Sequence, residues 1–234
     1  MKHPKYLASA VGVCSTALLS ACGGGGGDST PAAAPVTAFP LQAGYKARVA
    51  SGSTDNFAVS GICTGTAVIT TAAATAATFE GVPGFAATET VTLNVPNCTP
   101  ATSAATGTTY YDANYIPLGT STPGIEYARF LTLPPAFPTS VKPGYTADFA
   151  TLTTYSDSTK ATVTGKLVLS YVIESDTSTT ALANFITRGY DAAGQPVFTQ
   201  QIKYRIAADG TLTTVSIDVQ NSTTSTTHLV LTKT

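Results

Sequence analysis

Four glutamates, one histidine and a pair of cysteines make up most of the chemistry this 234-residue chain offers beyond its N-terminal segment. Glu80, Glu89, Glu126 and Glu174 are of the type that works in pairs in glycoside hydrolysis, where two carboxylates meet from distant parts of a fold. Their spacing shows no motif, and each also reads as a solvated charge near a turn. His228 stands alone beside Leu229 near the C-terminus, so a Ser-His-Asp triad has one position to draw on and no partners in sequence. No G-x-S-x-G, S-x-x-K or H-E-x-x-H occurs. Asp112-Ala-Asn114 begins like a calcium loop, but Pro117 stands where an EF-hand needs glycine. No catalytic residue, metal site or cofactor is assigned on this reading. The protein reads as non-catalytic, with a carboxylate-dependent hydrolase of an envelope or extracellular glycan as the alternative.

The stretch LLSACGGGGGDST, residues 18–30, carries the strongest signal. Lys2, His3 and Lys5 form a basic head, and Tyr6 to Ala21 is a small, apolar run. That run is shorter than the ~20 residues a spanning helix needs. With its basic head and small residues at the end it reads as a signal peptide over residues 1–21. Cys14 lies inside the run without flanking pattern and leaves with it. Leu19-Ser20-Ala21-Cys22 resembles the lipobox of bacterial lipoproteins. The resemblance implies cleavage before Cys22, a diacylglyceryl thioether on Cys22 and acylation of its new amino group. By the same resemblance, Gly23 after the cysteine implies sorting to the outer membrane, with the protein facing the periplasm or the cell surface. Acyl chains at ~0.8 kcal/mol per buried CH₂ hold such a protein to a bilayer. Residues 22–37 then read as the flexible, Gly- and Pro-containing linker behind the anchor.

Composition excludes some partners. The precursor has 12 Lys+Arg against 13 Asp+Glu, and loss of Lys2 and Lys5 leaves the processed chain at a net −3. Nucleic acid and anionic headgroups ask for a basic surface, so nucleic acid is not expected as a partner. Charged residues make up 11% of the chain, against ~25% in typical soluble domains. Thr, Ser and Ala take their place, as on the half-exposed strands of exported β proteins. Cys63 and Cys98 remain as the cysteine pair of the mature chain. In an oxidising compartment they are expected to form a disulfide, since neither a C-x-x-C nor a metal-ligand cluster is present.

The elements that must position these residues read as β almost throughout. Residues 38–100 carry three runs with strand patterns. LQAGYKARVASG puts Leu41, Tyr45, Ala47 and Val49 on one face; GICTGTAVITT is apolar or Thr on both; and AATETVTLNV aligns Val91, Leu93 and Val95. The expectation is a small sandwich-like module pinned by Cys63–Cys98. ATSAATGTT, residues 101–109, reads as a linker. From residue 107 to 234 a β-meander is expected. Leu167, Leu169, Tyr171 and Ile173 share a face, as do Phe198, Ile202, Tyr204 and Ile206, and Val215, Ile217 and Val219. Turns fall at 174–179, 191–194 and the Asp209-Gly210 pair, and STTALANFIT reads as a strand between two of them. LPPAFPTSVKPGY, with four prolines, is an irregular loop.

The fold expected is therefore all-β, with two small antiparallel modules. The overall pattern looks like the β-rich envelope lipoproteins of Gram-negative type, a resemblance that implies no activity. Tyr110, Tyr111 and Tyr115 lie at the junction of the modules and are the residues expected to bind a ligand, a glycan or a protein of the envelope, because tyrosines on a β face stack on sugars and pack into partners. The function expected is that of a membrane-anchored envelope lipoprotein with a binding or structural role.

Overall fold

The computed structural model describes residues 35–222 and 227–234. The signal peptide, Cys22 and most of the linker lie outside the described residues. One helix, α1 (Leu41–Ser51), precedes the strands β1 (Ser53–Gly61), β2 (Gly65–Thr71), β3 (Thr75–Phe79), β4 (Val82–Asn94), β5 (Thr102–Asp112), β6 (Pro117–Thr122) and β7 (Glu126–Phe130). There follow β8 (Thr146–Tyr155), β9 (Val163–Ser175), β10 (Thr180–Asp191), β11 (Pro196–Ala207), β12 (Leu212–Asn221) and β13 (Thr227–Lys233). Every pairing is antiparallel. β4 to β13 follow one another as neighbours, β13 pairs with β1, β1 with β2, and β2 with β4. The result is a closed ring of twelve strands. β3 lies outside the ring and continues the line of β2 along the far half of β4.

This overturns the expected division into a sandwich-like module at 38–100 and a meander module at 107–234. The two regions share one sheet. The meander itself is present from β4 to β13, but β1 returns to pair with β13, placing Phe57 opposite Lys233 and Val59 opposite Leu231. Alternating side chains specify that a strand has one buried face; they do not specify which strand lies beside it. Residues 101–109 are no linker either, for Thr102–Asp112 is β5 in the middle of the wall. Its lack of large residues reflects the space it faces, as described below.

The other correction is α1. Leu41, Tyr45 and Val49 are spaced by four, which fits one helix face as well as a strand face. The helix lies in one end of the barrel with Leu41, Gly44 and Val49 buried. Gly44 permits this, because a Cβ there would stand 2.0 Å from the carbonyl oxygen of Gly210 in the β11–β12 turn. The proline-containing loop between β7 and β8 closes the same end. It brings Phe137 onto Tyr45 and Phe149, at 4.7 and 4.5 Å between ring centres. Phe39, Leu41, Val141, Ile173, Ala181 and Ile206 complete this plug.

The opposite rim carries the disulfide. Cys63 in the β1–β2 turn is bonded to Cys98 in the β4–β5 turn, with 5.8 Å between Cα atoms. Both pack against a cluster formed by β1, β2, β4, β12 and β13, in which Phe57, Leu93, Ile217, Val219, Leu229 and Leu231 meet inside the barrel. The face of Val215, Ile217 and Val219 is broken by a bulge. Thr214 opposite Tyr204 takes the inward position and Val215 falls in the irregularity.

Outside, the wall is largely hydroxyl-bearing. Thr54 and Thr70, Thr88 and Thr108, and Thr90 and Thr106 lie within hydrogen-bond distance across neighbouring strands. With Phe57, Leu93 and Leu231 pointing inward, the polarity of these strands is the reverse of a spanning barrel, which is apolar outward. Among the described residues no helix is long and apolar enough to cross a membrane.

Candidate functional site: an acidic, largely apolar cavity in the barrel

One side of the barrel interior is largely packed, with a space of about 150 Å³ left beside Arg48, Asp55 and Glu89, and the other side is hollow. A cavity of about 700 Å³ runs along the inner faces of β4 to β11. Its floor is made by Tyr45 of α1 and Phe137 of the closing loop, and it reaches Ile125, Ser156 and Asp191 near the opposite rim. The walls are Phe130, Phe149, Leu152, Leu167, Leu169, Phe185 and Phe198. The space exists because β5 and β6 turn small side chains inward. Ala105, Gly107, Thr109, Thr120 and Thr122 all line it. Gly189 matters in another way: a Cβ there would stand 2.2 Å from the ring of Phe198, so the glycine seats that ring against β10.

Two glutamates enter this cavity. Glu89 follows the parity of Val91 and Leu93 on β4 and faces inward. Its surface opens to the cavity, and its one hydrogen bond comes from Thr71 Oγ1 at 3.2 Å. The residue is exposed to the space in the cavity, yet the protein surrounding it desolvates its carboxyl and raises it above the ordinary range, against smaller downward pulls from Thr71 and Arg48. Glu126 opens β7 on the same inner surface, and burial alone raises its carboxyl. The two stand in one row of the wall. Glu89 is opposite Gly107, the missing side chain of Gly107 leaves Thr122 Oγ1 2.9 Å from where its Cβ would be, and Thr122 is opposite Glu126.

A charged cluster lies beside the floor. Arg48 on α1 donates from Nη2 to Asp55 Oδ2 and Thr214 Oγ1, each at 2.8 Å, and its guanidinium stands 4.8 Å from the centre of the Tyr204 ring. Thr214 Oγ1 donates to Asp55 Oδ2 at 2.7 Å, and Lys233 caps the other oxygen of Asp55. Burial pushes the Asp55 carboxyl up, but hydrogen bonds from Lys233, Thr214 and Arg48 outweigh it and hold the group below the ordinary carboxylate range. Burial lifts the Tyr45 hydroxyl to about 12, so it is a neutral hydrogen-bonding group at the cavity floor. The cluster fixes α1 across β1, β12 and β13 and thereby holds the closed end shut.

The three tyrosines expected to bind a ligand do not form one surface. Tyr110 points outward and is half-buried, stacked 4.6 Å from Phe79 beside Leu118 and Tyr127. Tyr111 points inward and is buried against Val49 and Ala87. Tyr115, at φ 65°, stacks on Phe85 at 4.6 Å, has the Lys46 ammonium 5.2 Å from its ring centre and lies 6.4 Å from Tyr111, so two of the three meet. Glu80 and Glu174 are outside the cavity. Glu80 accepts from Tyr127 and Arg129 and pairs with Lys160, tying the β3–β4 turn to the outer wall. Glu174 accepts from Lys203 and Asn184. His228 lies 3.0 Å from Asp218. Asp112 Oδ1 accepts from the backbone N–H of Asn114 and Ile116, which makes its loop a self-bonded turn. Among the described residues no three His, Cys, Asp or Glu side chains gather as metal ligands do.

Sequence reasoning named Glu89 and Glu126 as candidates by type alone, and grouped Val91, Leu93 and Val95 without extending that face to Glu89, two positions earlier. That parity was the available signal for an inward acid. For Glu126 the strand is only five residues long, and its inward direction depends on pairing with β6. Comparison of the chain with family models, with characterised proteins and with solved structures gives no match in any of the three.

Proposed function

We propose that this chain is a lipid-anchored envelope protein whose barrel holds a small, mostly apolar molecule. The observation that carries the reading is the cavity of about 700 Å³ walled by Phe and Leu side chains. Ligand pockets fall in the range of roughly 300–1,000 Å³, apolar with a few placed polar groups. A protein gains nothing in stability from leaving such a volume unfilled, since unfilled apolar space forfeits dispersion contacts. The anchor is Cys22, followed by the linker, and the membrane is the outer membrane on the lipobox resemblance. The described chain begins at the α1 end, where the Val36 N–H donates to Ser178 O, so the tether leaves from the side opposite the disulfide rim.

The test of the binding reading is titration of the purified protein with a neutral apolar dye such as Nile red. Emission rises with saturation in the wild type. Thr187→Phe and Thr122→Phe, which put rings into the space, abolish it if the dye occupies the cavity. Unchanged titration in both variants sinks the reading. For the anchor, a palmitate analogue labels the wild type in cells and misses Cys22→Ser; equal labelling of both refutes lipidation.

A second reading, hydrolysis of a glycan by a carboxylate pair, gains one observation in its favour. Glu89 and Glu126 line one cavity with their carboxyls raised, as a general acid requires. The Phe and Leu walls suit an apolar guest better than a sugar, which keeps ligand binding first.

A further inference from the structure

The lining of the cavity is acidic without compensation. Glu89, Glu126 and Asp191 border it, and among the described residues no lysine, arginine or histidine does, although Glu89 also faces the smaller adjoining space lined by Arg48 and Asp55. Asp191 Oδ1 is occupied by the N–H groups of Ala193 and Gln195 at the rim. Glu126 has no hydrogen-bond or ion-pair partner among the described residues, and Glu89 has only the hydroxyl of Thr71. Arg48 is the one cation within electrostatic range of Glu89, and it is held by Asp55 and Thr214. Carboxylates inside an apolar space are costly unless they are paired or protonated. Among the described residues no cation pairs with Glu89 or Glu126, which leaves them free to be protonated in the empty cavity and to pair with a cationic guest when one enters.

We infer that the guest is a cationic amphiphile: an amine or quaternary ammonium compound whose charge sits between Glu89 and Glu126 and whose apolar body lies on Phe130, Phe149 and Phe198. This rests on the binding reading above and sharpens it. The row Glu89–Gly107–Thr122–Glu126 gives the geometry its sense. Two intervening strands separate the acids, and the bare position at Gly107 leaves the surface between them open to a headgroup. A protonated amine can donate to a carboxylate, a quaternary ammonium is drawn to the pair by charge alone, and phenyl faces attract both kinds of cation. The same surface disfavours fatty acids and phosphate-bearing lipids, whose charge would meet only like charge.

Isothermal titration with three probes of one chain length separates the possibilities: decylammonium, decanol and decanoate, at neutral pH and low ionic strength. Decylammonium is expected to bind on the order of tenfold or more tighter than decanol, as one charge-assisted contact allows, with decanoate weakest. In Glu89→Gln/Glu126→Gln the preference for the amine falls to within about threefold of decanol while decanol binds as before, which also shows that the variant is folded. Equal binding of amine and alcohol in the wild type overturns this inference and leaves the binding reading standing. A preference that survives in the double variant also overturns it, since the charge is then read elsewhere. Failure of all three probes removes both readings.

Discussion

The two halves of the barrel obey the same alternation and end differently. On the side of β1, β2, β4, β12 and β13, inward positions carry Phe57, Val59, Leu93, Ile217, Val219, Leu229 and Leu231, which meet and leave only about 150 Å³ of space between them and the Arg48–Asp55 cluster. On the side of β5 to β11, large apolar residues also point inward, but β5 and β6 answer them with Ala105, Gly107, Thr109, Thr120 and Thr122. The backbone is equally regular in both. What differs is side-chain volume, and it decides between a core and a chamber. The disulfide sits on the filled half, where it clamps the turns above the packed cluster. The charged cluster around Asp55 closes the floor of both halves at once.

Predictions follow the contrast. Phe57, 1% exposed in the filled half, should cost about 3–5 kcal/mol when changed to alanine, the usual range for a buried ring. Phe198→Ala, in the hollow half, removes a ring that already borders empty space and should cost about 1–2 kcal/mol, because fewer contacts are lost. Denaturant midpoints of the two variants measure the difference; equal costs would mean that the hollow half is as tightly packed as the other. Next in size, replacing Cys63 and Cys98 by serine removes a cross-link over 35 positions. It should lower stability by about 3.5–4 kcal/mol on the chain-entropy model, with ligand binding retained, since the bridge lies on the filled side. Reduction of the wild type during the melt checks the same point.

Asp55→Asn should cost about 3 kcal/mol at neutral pH, since it leaves Arg48 and Lys233 without their common partner. The sign with pH follows from the lowered carboxyl of Asp55. Its contribution is complete above the ordinary aspartate pKa and disappears as pH falls through the depressed folded value. Wild type and Asp55→Asn should therefore converge in stability toward acid. The smallest effect has the opposite sign. The Glu126 carboxyl is raised by burial, so the folded state binds its proton more tightly than the unfolded chain. Stability from this group falls as pH rises from the ordinary glutamate pKa through the raised one. Glu126→Gln should then stabilise the empty protein at pH 7, read as a small rise in Tm, and have little effect near pH 4. A destabilised Glu126→Gln would show that the carboxylate has a partner in the protein.

Much of the wall was legible residue by residue. The inward sets on β9 and β11, the turns at 191–194 and Asp209-Gly210, the strand at 180–191, the proline-containing loop and the Cys63–Cys98 bridge all follow from local pattern and chemistry. The site was not legible, because Glu126, Tyr45 and Phe198 come together only through ring closure. The three tyrosines divide for a related reason: Tyr110 and Tyr111 are adjacent in sequence and therefore point to opposite faces of one strand. The Leu41–Val49 stretch misled because spacing by four satisfies both periods over so short a run.

By itself, the sequence determined that the described chain is built of strands with one apolar face, that its surface is poor in charge and rich in threonine, and that Cys63 and Cys98 pair. These depend on interactions within a few residues or on the type of residue alone. The tertiary structure decided that the strands close into one ring, that Leu41–Ser51 coils into a plug, and that Glu89 and Glu126 face a shared cavity. Each of these is a matter of which strand lies beside which. β13 against β1 and β2 against β4 win because closure leaves no unpaired edge in the ring and gives every apolar face an interior to line.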